Sequence, residues 1–410
     1  MSATAAAEGL AARVDELSAL RAEANARFFT TEAERIALLC HALAERFARG
    51  GRLLAVGASP QARSDVRHVA VEFVHPVIVG KRALPALGIT PEGGQLAAQV
   101  ALLAEEPDAL IAFEASDSAE TAEALVIARE RGCLTIAFAP AGAEWELEPR
   151  VGDAFVRQEL VETTYHLLWE LVHVFFEHKG LLQGRTVGPL HDPGASSFLY
   201  PFLAEEETNL DVVLEDVRRS VASKANDVGE LRRQTLADSR DALVGAAATI
   251  RDSVGSGGTL LALGNGGSAT DAMDFVADLR AAPQGWPARR ALDLTEDSSI
   301  LTALANDIGP GVMFARQIIA YGRPGDVVLA FSTSGGSANV VEALREARQR
   351  GLATVAFVGY DGGRIAADGL ADHVIVSPSQ HIPRVQEAQA SAYHVLRELV
   401  ELAVPTRGLA

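Results

Sequence analysis

Cysteine, lysine and long apolar runs are scarce in this sequence, and each scarcity excludes a class of protein. Two cysteines among 410 residues are too few for a disulfide framework or a cysteine metal cluster. Both, Cys40 and Cys133, lie in apolar stretches, where we expect them to be structural. The apolar run "HLLWELVHVFF" is interrupted by Glu170 and His173, so it falls short of the roughly 18 residues that a membrane span needs.

Positive charge is also scarce. The chain has three lysines and a net charge of −18, which argues against nucleic acid as a partner because phosphate backbones are held by clustered Lys and Arg. A small anionic ligand stays open, since backbone N–H groups bind anions without net positive charge. The first residues, "MSATAAAEGLAARVDE", lack the basic flank and apolar centre of a signal peptide, and we therefore expect a cytoplasmic protein.

What the sequence does contain is an internal repeat. "EALVIARERGCLTIAF" at 123–138 matches "EALREARQRGLATVAF" at 342–357, and "LLAVG" from Leu53 matches "LLALG" from Leu260. In both halves apolar strand runs alternate with helices, which predicts an α/β fold of two tandem domains, each a parallel sheet with helices on both faces, a flavodoxin-like or Rossmann-like three-layer sandwich. We expect an N-terminal domain at 1–182, a Pro- and Gly-rich linker at 183–204 and a C-terminal domain at 205–410.

Two loops of the second half carry the chemistry. "LLALGNGGSATD", Leu260–Asp271, is a strand followed by a glycine-rich turn, and "STSGGSAN", Ser332–Asn339, follows another strand with hydroxyls and glycines. A glycine-rich turn that enters a helix presents free N–H groups and the positive end of the helix dipole, which together bind anions. For either loop alone an ordinary turn with a serine cap is the alternative. The dinucleotide and P-loop motifs are missing.

At these residues a resemblance becomes evident. The stretches "GNGGSATDAMDFVADL", "ALDLTEDSSILTALANDIG", "FARQI", "GDVVLAFSTSGGSANVVEAL" and "RVQEAQASAYHVLREL" span nearly all of residues 250–402. This half resembles the SIS (sugar isomerase) domain family and, within it, the phosphoheptose isomerases, which interconvert sedoheptulose 7-phosphate and D-glycero-D-manno-heptose 7-phosphate. The first half resembles the same domain more weakly, so the chain looks like a tandem duplication.

The resemblance implies a sugar-phosphate site and an isomerisation through an enediol. The residues implied in substrate binding lie on the two loops, at the end of "ALAND" and in the last helix: Asn265, Gly266, Gly267, Ser268, Asp307, Ser332, Thr333, Ser334, Ser337 and Gln386. It further implies a divalent metal, commonly zinc, bound by His, Glu, Gln and His. The second half departs from that pattern, because Asp274 and Asp278 stand where His and Glu are expected, while Gln386 and His394 are kept. Two aspartates make zinc a poorer fit.

The first half keeps the implied metal residues although its loops "GASPQARSD" and "FEASDSAE" are poor copies. They are His68, Glu72, Gln158 and His166; the alternative for His68 and Glu72 is an exposed helix pair. Residues eight apart on a helix are separated by roughly 12 Å along its axis and about 80° around it, so Gln158 and His166 are badly placed to bind one ion together. Sites shared between copies of the domain would solve this. The candidate proton carriers are His394, Glu72 and His166.

Three functions follow as hypotheses. The first is an aldose–ketose isomerase acting on a sugar phosphate, the second a sugar-phosphate-binding regulator without catalysis, and the third a scaffold that uses the duplicated domain for protein contacts. The resemblance also implies a tetramer-like assembly. We therefore expect a homodimer of tandem chains that forms a pseudo-tetramer of four domains. The helices "TEAERIALLCHALAERF" and "VETTYHLLWELVHVFF" are apolar over more than one stripe, as burial against another copy requires, although they would also cover their own sheet.

Overall fold

A computed structural model describes residues 3–76, 81–114, 116–177, 181–182, 209–282 and 285–403 of the chain. The expected linker at 183–204 lies outside the described residues. Contacts divide the chain into two compact units. We call residues 24–227 the N-terminal unit, and residues 1–23 together with 228–410 the C-terminal unit.

Two long helices contribute residues to both units. Helix α1 (Ala3–Ala48) and helix α6 (Leu210–Asp238) each cross a boundary between the units. Val14 and Leu17 of α1 belong to a core of the C-terminal unit, whereas Val213 and Val217 of α6 belong to a core of the N-terminal unit. An amphipathic pattern continues through such a boundary without a signal. The expected domain limits at 182 and 205 were drawn from the sequence repeat, whereas the units are defined by contacts between residues. The limits stay a prediction.

The N-terminal unit is built on a parallel sheet in the order β2-β1-β3-β4-β5. All four residues of β1, β3 and β4 are buried, because the helices cover both faces of the sheet. Its remaining elements, in chain order, are β1 (Leu53–Val56), α2 (Pro60–Val74), β2 (Ala86–Ile89), α3 (Leu96–Leu103), β3 (Ala109–Ala112), α4 (Ala119–Glu130), β4 (Leu134–Ala137), β5 (Trp145–Glu146) and α5 (Ala154–Glu177).

The C-terminal unit has a second parallel sheet in the order β10-β9-β8-β6-β7. Alternate residues of its strands supply two cores, with Leu260 and Leu329 on one face and Leu261 and Val328 on the other. Its elements are α7 (Arg240–Gly255), β6 (Leu260–Leu263), α8 (Gly267–Arg280), β7 (Ala291–Asp293), α9 (Ser298–Asp307), α10 (Met313–Tyr321), β8 (Val327–Ser332), α11 (Ala338–Gln349), β9 (Ala353–Gly359), α12 (Gly363–Ala367), β10 (His373–Ser377) and α13 (Ile382–Leu402).

The two sheets have the same topology. In each, the first strand of the unit lies between the second and the third, and the fourth and fifth follow outward. This is the flavodoxin-like order, and it confirms the predicted fold class. The equal order also supports the interpretation of the sequence repeat as a duplication.

The structure also answers two questions that composition raised. Cys40 and Cys133 are free and buried, and burial raises the pKa of the Cys133 thiol to about 11. Among the described helices, none has the length and apolar character that crossing a membrane requires.

Candidate active site

The loops that follow β6 and β8 meet at the carboxyl edge of the C-terminal sheet. Strands β6 and β8 are neighbours, yet the chain leaves β6 toward β7 on one side and returns to β8 on the other. Such a reversal of strand order opens a crevice between the two loops, and ligands of open α/β sheets bind there. The glycine-rich loop and the serine-rich loop predicted from the sequence are the two walls of this crevice.

A pair of amides joins the two walls. Asn265 Nδ2 donates to Asn339 Oδ1 at 2.9 Å, and Asn339 Nδ2 donates to Asn265 Oδ1 at 2.8 Å. Asn265 is one of the residues that the resemblance implies in the site, whereas Asn339 is not among them. The pair links the loop before α8 to the first turn of α11.

Both helices that begin at the crevice start without a side-chain cap. Gly266, with φ 56°, is the N-cap residue of α8 and has no side chain to offer. Ser337 is the N-cap residue of α11, and its side chain accepts no hydrogen bond from the helix. The first N–H groups of a helix have no partner within the helix, and with the helix dipole they favour an anion. Two such N-termini at one crevice form a site suited to a phosphate group.

Hydroxyl groups line the same crevice. Ser332 is buried at the end of β8, and its Oγ lies 3.4 Å from Ser337 Oγ. Ser334 is exposed and its Oγ accepts a hydrogen bond from Gly336 N at 3.3 Å. Ser268 is buried in the first turn of α8. Gly266 and Gly267 lie at the start of α8, and Thr333 directly follows β8; their role in binding stays a prediction.

Two residues expected in substrate binding lie away from these loops in the chain. Asp307 ends α9, is exposed, and accepts a hydrogen bond from Asn306 at 2.8 Å. Gln386 is buried in the second turn of α13. Among the described residues, no hydrogen bond joins Asp307 to either loop, so its role stays a prediction.

A second group of candidate site residues lies in the N-terminal unit, between α2 and α5. His166 Nε2 lies 3.3 Å from His68 Nε2, and Glu72 Oε1 lies 3.9 Å from His68 Nε2. All three side chains are buried, which contradicts the alternative of an exposed helix pair for His68 and Glu72. Glu162, one turn before His166, lies on the other side of the His68 ring, with Oε1 4.0 Å from Nδ1.

These three residues fit a metal ion by their chemistry and spacing. One ligand atom from each of His68, Glu72 and His166 lies within 4.8 Å of the others. Imidazole nitrogens and a carboxylate oxygen are ligands that zinc accepts. Burial, and next the nearby His166, holds the pKa of His68 well below its ordinary value of 6.5. A neutral imidazole is the form that coordinates a metal.

Gln158 has a different partner from the one expected. Its Nε2 donates to Asp65 Oδ2 at 3.4 Å, and Tyr165 OH donates to Asp65 Oδ1 at 3.4 Å. Asp65 lies about one turn before His68 on α2. The contact agrees with the expectation that Gln158 and His166, eight residues apart, do not serve one small ion together.

The C-terminal unit repeats this arrangement with other side chains. His394 Nε2 of α13 lies 3.3 Å from Asp274 Oδ2 and 3.9 Å from Asp278 Oδ2, both on α8. Tyr393 OH donates to Asp274 Oδ2 at 2.8 Å. The group Asp274, Asp278 and His394 is buried and is close enough to hold an ion. Two carboxylates and one imidazole suit Mg²⁺ or Mn²⁺ better than zinc.

Comparison with known proteins places this geometry in a family. The SIS domain model matches residues 225–359. A phosphoheptose isomerase of Roseiflexus sp. (strain RS-1) is 43% identical over 179 residues, which are 42% of this chain and 87% of the relative. A phosphoheptose isomerase of Geotalea daltonii is 46% identical over 156 residues, 37% of this chain and 79% of the relative. The chain belongs to the SIS-domain family.

The SIS fold extends beyond the matched region. The solved C-terminal domain of glucosamine-fructose-6-phosphate aminotransferase from Francisella tularensis has a TM-score of 0.56 and 10% identity. The match covers 94% of this chain and 93% of that one. At such low identity the likeness shows the fold alone, but it includes both units.

Some side chains of this SIS protein that contact the predicted residues were missed from the sequence. A signal for Tyr165 and Tyr393 existed, because each comes directly before a candidate histidine in "TTYH" and "SAYH". Glu162 also had one, since it lies one helical turn before His166. Asn339 had none, because its partner Asn265 is 74 positions away in the chain.

Proposed function

We propose that this SIS-domain protein is an aldose–ketose isomerase acting on a sugar phosphate, with sedoheptulose 7-phosphate as the first candidate substrate. The observation that carries the proposal is the crevice between the β6 and β8 loops, where two uncapped helix N-termini and serine hydroxyls meet. The relatives named phosphoheptose isomerase support the choice of substrate. The crevice would bind the phosphate, and Ser332, Ser334 and Ser337 would orient it.

Proton transfer between two neighbouring carbons needs a base and an acid. His394, Glu72 and His166 are our candidates, because imidazole and carboxylate groups are the usual general acids and bases of enzymes. His166 and His394 occupy equivalent places, since each pairs at 3.3 Å with a side chain on the helix that follows the first strand of its unit. We assign proton transfer to His394 when the His68, Glu72 and His166 group holds an ion, because a coordinated side chain cannot also take up the proton. Without an ion, Glu72 and His166 stay the alternatives.

A metal would contribute at the His68, Glu72 and His166 group. These residues would hold a divalent ion, with zinc as the first candidate from the donor set. When bound, such an ion polarises a carbonyl and favours loss of the neighbouring proton. The three side chains are buried. Burial keeps the pKa of His68 low, so its imidazole is neutral and able to bind the ion.

One observation favours a second function. Asp274 accepts a hydrogen bond from Tyr393 and lies within hydrogen-bond distance of His394. The candidate proton carrier of the C-terminal unit, His394, is therefore in contact with a carboxylate of its own chain. A sugar-phosphate-binding regulator would have this property. It predicts that sugar phosphate raises the thermal stability of the protein without turnover.

Incubation with sedoheptulose 7-phosphate, with and without zinc, tests the proposal by detection of the aldose product. We expect turnover that depends on the divalent ion. Ser334→Ala should weaken sugar-phosphate binding by roughly 1 to 3 kcal/mol, because a hydroxyl bond to a charged acceptor is lost. Ser256→Ala, at an exposed position beyond α7, is the matched control. Thermal stabilisation without any aldose would support the regulator instead, and unchanged affinity of Ser334→Ala would exclude that hydroxyl as an anchor.

For the assembly we propose a homodimer of chains, so that four SIS-type domains come together. Two chains of duplicated domains reach a closed arrangement through one isologous contact. The supporting observation is the equal strand order of the two sheets.

A further inference from the structure

The crevice of the N-terminal unit contains a carboxylate where the other unit has a hydroxyl. In this unit β1 and β3 are neighbours and their loops lead into α2 and α4, so the same reversal of strand order opens a crevice. The residue after Phe331 in the β8 segment is Ser332, whereas the residue after Phe113 in the β3 segment is Glu114.

Glu114 reaches across this crevice to the start of α2. Ser59 Oγ donates to Glu114 Oε1 at 2.5 Å, and Ser59 N donates to Glu114 Oε2 at 3.3 Å. Ser59 is the N-cap residue of α2. The carboxylate of Glu114 therefore lies at the positive end of a helix dipole and accepts a backbone N–H, as a bound phosphate would.

The backbone at Glu114 is adapted to this contact. Its φ is 57°, a left-handed conformation that a residue with a side chain adopts rarely and at a cost. The carbonyl oxygen of Glu114 accepts hydrogen bonds from Asp117 N and Ser118 N, each at 3.0 Å. A local turn thus holds the residue in the conformation that directs its carboxylate toward Ser59.

The Glu114 carboxylate would exclude a phosphate group from this crevice by its negative charge and by the space that it occupies. The carboxylate already takes the N–H and the hydroxyl of Ser59, and a second anion in contact with it would be repelled. The crevice of the C-terminal unit presents amides and hydroxyls at the corresponding place, through Asn265, Asn339, Ser332 and Ser337.

We propose that Glu114 is a built-in anion that closes the N-terminal crevice to phosphate esters. The crevice keeps the anion-binding geometry of its fold, but the ligand is part of the chain. Replacing Glu114 by the serine found at the repeated position then opens a phosphate site that the natural protein does not offer. The inference concerns phosphate binding only, so it does not depend on isomerase activity.

The test counts the inorganic phosphate bound per chain by equilibrium dialysis of the full-length protein. We expect Glu114→Ser to bind one phosphate more than the natural chain, whatever number the natural chain binds. Glu114→Gly, which suits φ 57°, is the second variant if the serine form folds poorly. Glu114→Gln keeps the volume and the acceptor oxygen, and Glu123→Ala removes a charge from the exposed face of α4; both should leave the count unchanged.

Three results would overturn the proposal. The first is an unchanged phosphate count in folded Glu114→Ser and Glu114→Gly, with natural far-ultraviolet circular dichroism. The second is a gain of the same size in Glu123→Ala, which would indicate net charge rather than the crevice. The third is a loss of phosphate from the natural chain on Ser59→Ala, which would show that the crevice is already open. If the C-terminal unit binds no phosphate, Glu114→Ser should still bind one phosphate more than the natural chain. A failure of the proposed function can therefore be distinguished from a failure of this inference.

Discussion

His68 and Asp274 differ in chemistry although they occupy the same place in the two units. Each lies on the helix after the first strand of its unit, and each has an atom 3.3 Å from Nε2 of a histidine, which is His166 on α5 or His394 on α13. An imidazole there favours zinc, whereas a carboxylate favours a harder ion or an internal hydrogen bond. We therefore expect the N-terminal unit, with His68, to be the one that binds a transition metal.

Removal of His68 should remove the metal. We expect close to one ion per chain in the natural protein by elemental analysis after zinc loading and desalting, and His68→Ala should lose that ion together with activity. Asp274→Ala is the matched change in the other unit and should keep the zinc. Full activity after exhaustive chelation would contradict this assignment.

The residues of the crevice were predictable because their signal is local. Glycines and serines next to an apolar strand describe a turn and its ligand within about ten positions of the chain. The contacts Asn265–Asn339 and Ser59–Glu114 were not predictable, since each joins two loops whose distance only the folded sheet fixes. The sequence did show that the first-half loops are poor copies of the second-half loops, but it did not show that a carboxylate fills the resulting space.

At the scale of elements, the serine-rich loop depends on a close approach to the turn before α12. Gly335 has φ 60°, and a Cβ there would overlap the carbonyl oxygen of Gly362. At Gly336 a Cβ would have its nearest neighbours at 3.9 Å, both in Ser334. Only the first glycine is therefore required by the backbone.

Alanine substitution at these adjacent positions separates the two cases. Gly335→Ala should lower the free energy of unfolding by roughly 2 to 4 kcal/mol and displace the loop, whereas Gly336→Ala should change it by less than about 0.5 kcal/mol. Urea denaturation of both variants is the measurement. Equal stability of the two would show that the loop does not need its contact with Gly362.

Helix α5 carries a buried histidine that makes stability depend on pH. His173 is 2% exposed, and burial, with the charge of Lys81 as the second cause, lowers its pKa from 6.5 to about 4. The unfolded chain therefore takes up this proton at a higher pH than the folded chain. The contribution of His173 to stability is therefore fully present above pH 6.5 and is lost as the pH drops from there toward about 4.

The contribution of His173 between about pH 7.5 and pH 5 is on the order of 2 kcal/mol. His173→Gln should lose that much less stability than the natural protein over this range, as measured by urea denaturation at the two pH values. An identical pH dependence in the variant would show that His173 already carries a proton in the folded protein or is not the titrating group.

The apolar faces of helix α5 are covered within a single chain. Every residue from Glu159 to Phe176 is buried within the single chain, so the apolar character of this helix needs no second chain to explain it. The exposed apolar side chains include Leu102 and Val126, on α3 and α4. The proposal of a homodimer is therefore supported by the equal strand order of the two sheets and not by the apolar pattern of α5.

At the scale of the whole molecule, the order of helices and strands could be predicted from apolar periodicity, and the equal topology of the units from the repeat. The extent of each compact unit could not, because α1 and α6 continue as single helices through the boundaries at residues 23 and 227. Helix periodicity reports which face is buried but not which core buries it.

Assembly is tested by mass in solution. Light scattering should give the mass of two 43.2 kDa chains, independent of concentration in the micromolar range, because isologous pairing closes after two chains. A mass near that of one chain at all concentrations would exclude the homodimer.

The most direct test of the central claim is turnover of sedoheptulose 7-phosphate in deuterated water, followed by nuclear magnetic resonance. Isomerisation through proton transfer predicts aldose with deuterium at the carbon next to the carbonyl. The base exchanges the proton that it removed for a deuteron from the solvent, and it delivers this deuteron to that carbon. Chelation should stop the reaction and zinc should restore it. Binding of the sugar phosphate without aldose or deuterium incorporation, with every divalent ion supplied, would contradict the account.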